Sequence, residues 1–250
     1  MLERMNKTPY ESVTVLYESE DLLALNKPTG LVMHSDGRTV EPTLTEWITE
    51  HYPKLATVGG SIDLDTEDEV SRAGIVHRLD RDTSGVVLVA KNEEMFNYLR
   101  NEFNERRVRK TYRGIAWGTI KDELGSIDRK IGRSRKHGVI WSVASGAKGT
   151  LRDAVTKWRV LKRGNGFTYM EFYPLTGRTH QIRVHMKSIG HPLVSDKLYG
   201  AREGQGLGLL RTALHALSVS VVLPNGKELK VEAPLSKDFA DAVALMDITQ

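Results

Sequence analysis

A chain of 250 residues is long enough to bury a substantial core, as one large domain or two small ones. Charged residues make up 27% and hydrophobic ones 40%, and 36 Lys+Arg against 32 Asp+Glu leave a formal net charge of +4, ordinary values for a globular protein. There is no cysteine, which excludes disulfides and Cys-ligated zinc. The opening MLERMNKTPYES lacks the apolar core of a signal peptide, and no apolar run reaches bilayer length, so a cytoplasmic protein with no membrane partner is expected. Charge is unevenly spread: acids gather in Asp63–Glu69, bases around 100–113 and 129–137. Clustered bases fit a polyanionic partner, or a solvated basic face.

Taken in order, Val13–Tyr17 and Leu22–Asn26 read as short strands joined by a turn at Glu18–Asp21, and Lys27-Pro28-Thr29-Gly30 follows as a tight turn. Thr43 is placed to cap a helix through Glu46, Trp47 and Ile48 that stops before Pro53. From Ala56 to Arg72 there is no clear period. Asp63-x-Asp65 lacks the Gly and Glu that a calcium loop requires, so a solvated loop is expected.

The densest chemistry is in Gly74–Asn92, GIVHRLDRDTSGVVLVAKN. Val86–Ala90 is a β-branched apolar run that reads as a buried strand. Just ahead of it, His77, Arg78, Asp80, Arg81 and Asp82 crowd into six positions. Buried charge is costly unless paired, so five ionisable groups leading into a core strand point to a site on a loop. The plainer alternative is a turn capped by Asp80 or Asp82, with the arginines in water.

Asn92 then caps a helix with Glu93 and Glu94 near its N-terminus and Met95, Leu99 and Phe103 on its core face. Arg106, Arg107, Arg109 and Lys110 run into a strand, Lys110–Trp117. The bases of 129–137 (Arg129, Lys130, Arg133, Arg135, Lys136 and His137), interrupted by Gly132, form an irregular stretch. It fits either a flexible arm along phosphates or a solvated hairpin loop. Strands follow at Ala154–Leu161 and Phe167–Tyr173, with a turn at Arg163–Gly166.

A helix over Thr179–Ile189, ended by Gly190, has Ile182, Met186 and Ile189 on one face and His180, Arg183 and Lys187 on another. His180 and His185 diverge on such a helix and make a poor metal pair, so no metal is expected. Gly204-x-Gly206-x-Gly208 has no strand before it and reads as a flexible loop. Leu214–Leu223 and Glu228–Glu232 flank the hairpin signal Pro224-Asn225-Gly226, and Ser236 begins a last helix with Phe239, Val243 and Met246 inward.

HRLDRDTSG followed by VVLVAKN closely resembles the signature of the RluA-type pseudouridine synthases. EDLLALNKPTGLVMH resembles the first motif of that family, and TGRTHQIRVHM with GHPLVSDKLYG resembles the third. A sister branch usually carries Gly in place of His77, so His77 favours the RluA branch. The resemblance starts almost at the N-terminus, after a tail at 1–12. The expectation is therefore a catalytic domain over 13–250 with no separate RNA-binding domain in front.

The resemblance implies an α+β fold whose central, mostly antiparallel or mixed sheet is flanked by helices and carries an active-site cleft. It implies isomerisation of uridine to pseudouridine in structured ribosomal or transfer RNA: uracil leaves C1′ through N1, turns, and rejoins through C5. Asp80 matches the catalytic aspartate, Tyr112 of KTYRGIAWG the active-site tyrosine, and Arg183 the arginine that pairs with the catalytic carboxylate. A neighbouring guanidinium favours the charged carboxylate and fixes its direction. Tyr112 is either the base that removes the C5 proton or the ring on which uracil stacks, and Asp80 is either nucleophile or base.

The target must be flipped out of its helix, and by analogy Arg78 helps hold the vacated space. His77, Arg78, Arg81, Arg106, Arg107, Arg109, Lys110, Arg133, Arg135, Lys136, Arg178 and His180 are the candidate RNA contacts. No redox change or added group is involved, so no cofactor is expected. The partner is RNA and not DNA, and the chain is expected to act as a monomer. Two other readings stand beside this one: a catalytically silent RNA-binding or ribosome-assembly factor of the same fold, and a hydrolase using Asp80 with His77.

Overall fold

Two near-continuous apolar runs, LLAL and GVVLVA, become the most deeply buried strands at the N-terminal end of the fold. The structure, a computed structural model, describes residues 8–35, 41–62, 70–135, 140–200 and 206–247. Contacts divide the chain into two units, residues 1–108 with 218–233 and residues 109–217 with 234–250.

In the first unit, β1 (Thr14–Glu18) and β2 (Leu22–Lys27) form a hairpin. Thr43 caps α1 (Leu44–His51) through a capping box: its hydroxyl accepts from Glu46 N–H and the Glu46 carboxylate accepts from Thr43 N–H. The loop expected over 56–72 pairs at its ends as β3 (Ser61–Ile62) and β4 (Val70–Ser71), while the acidic run 63–69 lies outside the described residues. β5 (Ser84–Ala90) is buried at every position and runs antiparallel to β2, Val87 opposite Leu25. Both faces are covered, which explains the absence of polar alternation in its sequence. Asn92 caps α2 (Glu93–Asn104) by accepting from Met95 N–H, and Met95, Phe96 and Leu99 are buried.

The second unit is built on an antiparallel sheet in the order β6 (Arg109–Trp117), β12 (Phe167–Pro174), β11 (Val155–Gly164), β7 (Leu124–Asp128). Asn165 and Gly166, at φ 51° and 77°, make the tight turn between β11 and β12. The bases after β7 are no loose arm in their described part. Ile131–Ser134 is β8, at the centre of a small sheet with β9 (Trp141–Val143) and β10 (Ala147–Arg152). Ile131, almost fully buried against Ala154, Val184 and Tyr199, is the anchor that fixes it. Lys136 and His137 lie outside the described residues.

The helix α3 covers Gln181–Ser188 and so starts later than Thr179. Its first turn is displaced because Gln181 ties the preceding loop to β11. Its Oε1 accepts from the Thr176 hydroxyl and Arg178 N–H, and its Nε2 donates to Val155 O and Thr156 Oγ1. Ile182 and Met186 join Ala116, Trp158, Met170 and Phe172 in one core on one face of the sheet. The other face is closed by α4 (Lys237–Leu245), whose Phe239 and Ala242 pack with Ile115 and Phe167. Before it, β13 (Leu214–Val222) and β14 (Glu228–Glu232) form the expected hairpin, Val219 opposite Val231. Among the described residues no helix is long and apolar enough to cross a membrane.

Candidate active site

Asp80 is half-buried in the loop that feeds β5, and the loop is held from three sides. Gly74 at φ 75° packs so close that a Cβ would collide with the Ala90 carbonyl, which makes glycine obligatory there. His77 accepts from Leu88 N–H through Nε2 (2.9 Å) and stacks on Phe103 at 4.7 Å. Its ring is thus neutral at Nε2 and ties the loop to the core. The third tie is the first motif. Lys27, with no exposed surface, donates from Nζ to Pro28 O (2.9 Å), Leu31 O (2.7 Å) and Arg81 O (3.0 Å). Thr29 donates to Asp82 O (3.1 Å) and Gly30 N–H to Arg81 O (2.9 Å). Asp80 sits inside this clamp, and its own carbonyl accepts from Thr83 N–H.

Around the loop the charge is positive. Arg78 and Arg81 are exposed, Arg81 meeting Glu41 at 3.0 Å. His34 is pushed down to about 4 by burial and by the nearby Arg78 and Arg72, so it is neutral near pH 7. At the end of α2, Arg107 grips buried Glu102 through Nε and Nη2 (3.0 and 2.7 Å), a structural tie for one candidate RNA contact, while Arg106 is exposed.

In the second unit Tyr112 and the helix of Arg183 meet on one sheet face: Tyr112 packs against the core that holds Ile182 and Met186. Arg183 is 6% exposed and binds Asp196 bidentately, Nε to Oδ2 and Nη2 to Oδ1, both 2.8 Å. Tyr199 lies beneath it, its ring centre 5.1 Å from the guanidinium carbon and 5.8 Å from Lys187 Nζ. His180, left-handed at φ 55°, sits 2.9 Å from the Tyr199 hydroxyl through Nδ1. His180, Arg183 and Lys187 do share one side, and Tyr199 is what they share.

His185 points elsewhere. It is fully buried between Thr156 Oγ1 (2.9 Å) and Arg129 O (3.0 Å), with its pKa lowered chiefly by burial. Among the described residues no three His, Asp or Glu side chains gather as a metal site. Arg109 is exposed, Lys110 donates to Thr176 O (3.3 Å) and Arg178 to Asp153 O (3.1 Å). Arg133 lies 5.5 Å over the Trp141 ring, and Arg135 donates to Ala147 O (2.7 Å). Sequence reading missed Lys27, taken only as part of a turn, and Asp196, whose signal was a lone carboxylate inside the apolar LVSDKLY.

Residues 21–188 match the RNA pseudouridylate synthase family, and the chain belongs to it. It is 39% identical over 230 residues to an uncharacterised RNA pseudouridine synthase of Synechocystis, covering 90% of this chain and 66% of that one. It is 37% identical over 244 residues to ribosomal large subunit pseudouridine synthase D of Pseudomonas aeruginosa, covering 93% and 71%. The chain thus spans about two thirds of the length of these relatives. Human RNA pseudouridylate synthase domain containing 1 superposes with a TM-score of 0.73 at 27% identity, covering 92% of this chain and 86% of that one. The α+β expectation and the RNA pseudouridine synthase assignment both hold.

Proposed function

We propose that the chain isomerises uridine to pseudouridine in structured RNA, with Asp80, Tyr112 and Arg183 as its catalytic residues. The observation that carries this reading is the clamp on the Asp80 loop. Lys27, Thr29 and Gly30 of one family motif fix the carbonyls of Arg81 and Asp82 in another. A carboxylate that must attack C1′ or take a proton beside it needs that fixed placement. Tyr112 removes the C5 proton, and Arg78 supports the space left by the flipped nucleotide.

Ribosomal RNA is the substrate class to test first, because ribosomal large subunit pseudouridine synthases D of several bacteria are 33–37% identical to this chain. Transfer RNA is the second. Residues 13–250 act as one catalytic domain and as a monomer, and affinity comes from the basic segments at 106–113 and 129–137. The test is to incubate the purified chain with RNA from cells lacking the gene and map new pseudouridines. Free uracil or a cleaved strand in their place would point to a hydrolase. RNA binding without any new pseudouridine would point to a silent assembly factor.

A further inference from the structure

We propose that Asp196 is the positioning residue of this enzyme: it sets where the Arg183 guanidinium stands relative to Tyr112. The inference rests on the reading of Arg183 and Tyr112 given above. Asp196 is 3% exposed and its carboxylate is saturated. Oδ2 accepts from Arg183 Nε, while Oδ1 accepts from Arg183 Nη2 and from the N–H groups of Leu198 and Tyr199, both at 3.1 Å. Its backbone is as firmly set. Ser195 turns the chain at φ 55° and donates to Leu209 O (2.6 Å), and Gly200 N–H returns to Asp196 O at 2.6 Å.

The segment is anchored to the strand that carries Tyr112. Trp117 N–H donates to Pro192 O and Val194 N–H to Ile115 O, both at 2.9 Å. Asp196 therefore joins the helix of Arg183 to β6 through one carboxylate. Stability does not call for it: α3 is already seated by Ile182, Val184 and Met186 in two apolar clusters. Replacing a buried ion pair by apolar groups is often neutral or stabilising, so such a pair is weak as a stability device. What the pair supplies is direction. With Nε and Nη2 committed to Asp196 and the plane resting over Tyr199, the guanidinium cannot swing, and its Nη1 edge has a defined aim.

The test is a double-mutant cycle on the full chain, using a transcript that carries a uridine modified by wild type. Single-turnover rate, RNA dissociation constant and melting temperature are measured for D196N, R183K and the double variant. A misplacement of about 1 Å can cost on the order of 100-fold, so D196N should lower the rate by about 10- to 100-fold with RNA affinity nearly unchanged. In the R183K background the same change should cost less than about threefold, since a residue acting only through Arg183 has nothing left to position. D196E, which keeps the charge but is one methylene too long, should show the same pattern, and it decides the matter if D196N does not fold. Equal losses in both backgrounds, or a wild-type rate for D196N or D196E, would overturn the proposal while leaving the proposed function standing. A wild-type rate for R183K, or no pseudouridine from the wild-type chain, would remove the functional reading and this inference with it.

Discussion

The Nζ of Lys27, a side chain with no exposed surface, donates to the carbonyl of Arg81, the residue after Asp80. The same ammonium serves Pro28 O and Leu31 O, so one charge closes three acceptors. Lys27→Met keeps the length and removes every donor. Arg81 O keeps its bond from Gly30 N–H, whereas Pro28 O and Leu31 O lose theirs. Each buried carbonyl left without its partner costs about 1–3 kcal/mol, so a loss of at least about 2 kcal/mol is expected in chemical denaturation. Retained stability in Lys27→Met would show that the clamp is not needed to hold the loop.

Asp80→Asn keeps the shape of the side chain and removes its charge. Pseudouridine formation should fall by several orders of magnitude, as when other catalytic nucleophiles are removed, while melting temperature and RNA affinity persist. Near-normal turnover would end the mechanistic assignment.

Tyr112→Phe separates the two roles open to that ring. Tyr112 packs by its ring against the core of the second unit, and Phe preserves that packing. With the hydroxyl as base, turnover at saturating RNA collapses and binding is intact, which is the outcome expected here. Substantial turnover in the Phe variant would make Tyr112 a stacking platform.

His34 ties stability to pH. Its folded pKa is about 4 against 6.5 for the free group, through burial and then the charges of Arg78 and Arg72. Because the folded pKa is depressed, the unfolded chain binds the proton first. Stability is fully present above pH 6.5 and falls as pH drops from there toward 4, by roughly 2 kcal/mol at pH 5. Among the described residues its buried Nδ1 has no hydrogen-bond partner, so an apolar replacement leaves no described acceptor stranded. His34→Leu should therefore narrow the gap between melting temperatures at pH 7.5 and pH 5. An unchanged gap would remove His34 from the acid response.

Much of this was legible because the signals are local. The β-branched run of β5, the Asn92 cap and the Pro224-Asn225-Gly226 hairpin each fix their structure within a few residues. The loop motif around Asp80 was legible for its density of charge. What escaped depends on distant partners. Lys27 reads only as the start of a tight turn until the carbonyl 54 residues away is known to meet it. The left-handed turn of His180 faces a hydroxyl 19 residues on, and the role of Asp196 depends on an arginine 13 residues before it. The strand β8, only four residues long, owes its order to burial of Ile131 against α3 and Tyr199, which no periodicity of a basic stretch can announce.

That strand carries the last prediction. In the small sheet Lys148 lies directly opposite Arg133, and Arg133 directly opposite Trp141, so two cations and an indole form one row. Like charges directly opposite across a ladder are destabilising, and both side chains are exposed. RNA phosphates would relieve that repulsion, and phosphate contacts supply most sequence-independent affinity. Arg133→Ala, Arg135→Ala and Lys148→Ala together should weaken RNA binding and flatten its dependence on salt. Each lost contact should reduce the log-log slope by roughly 0.7–0.9. The rate at saturating RNA should change little, since contacts made equally to substrate and transition state do not alter it. A merely solvated sheet edge gives no change in affinity or slope; that result across a salt series would move recognition to the Asp80 loop and the bases at 106–113.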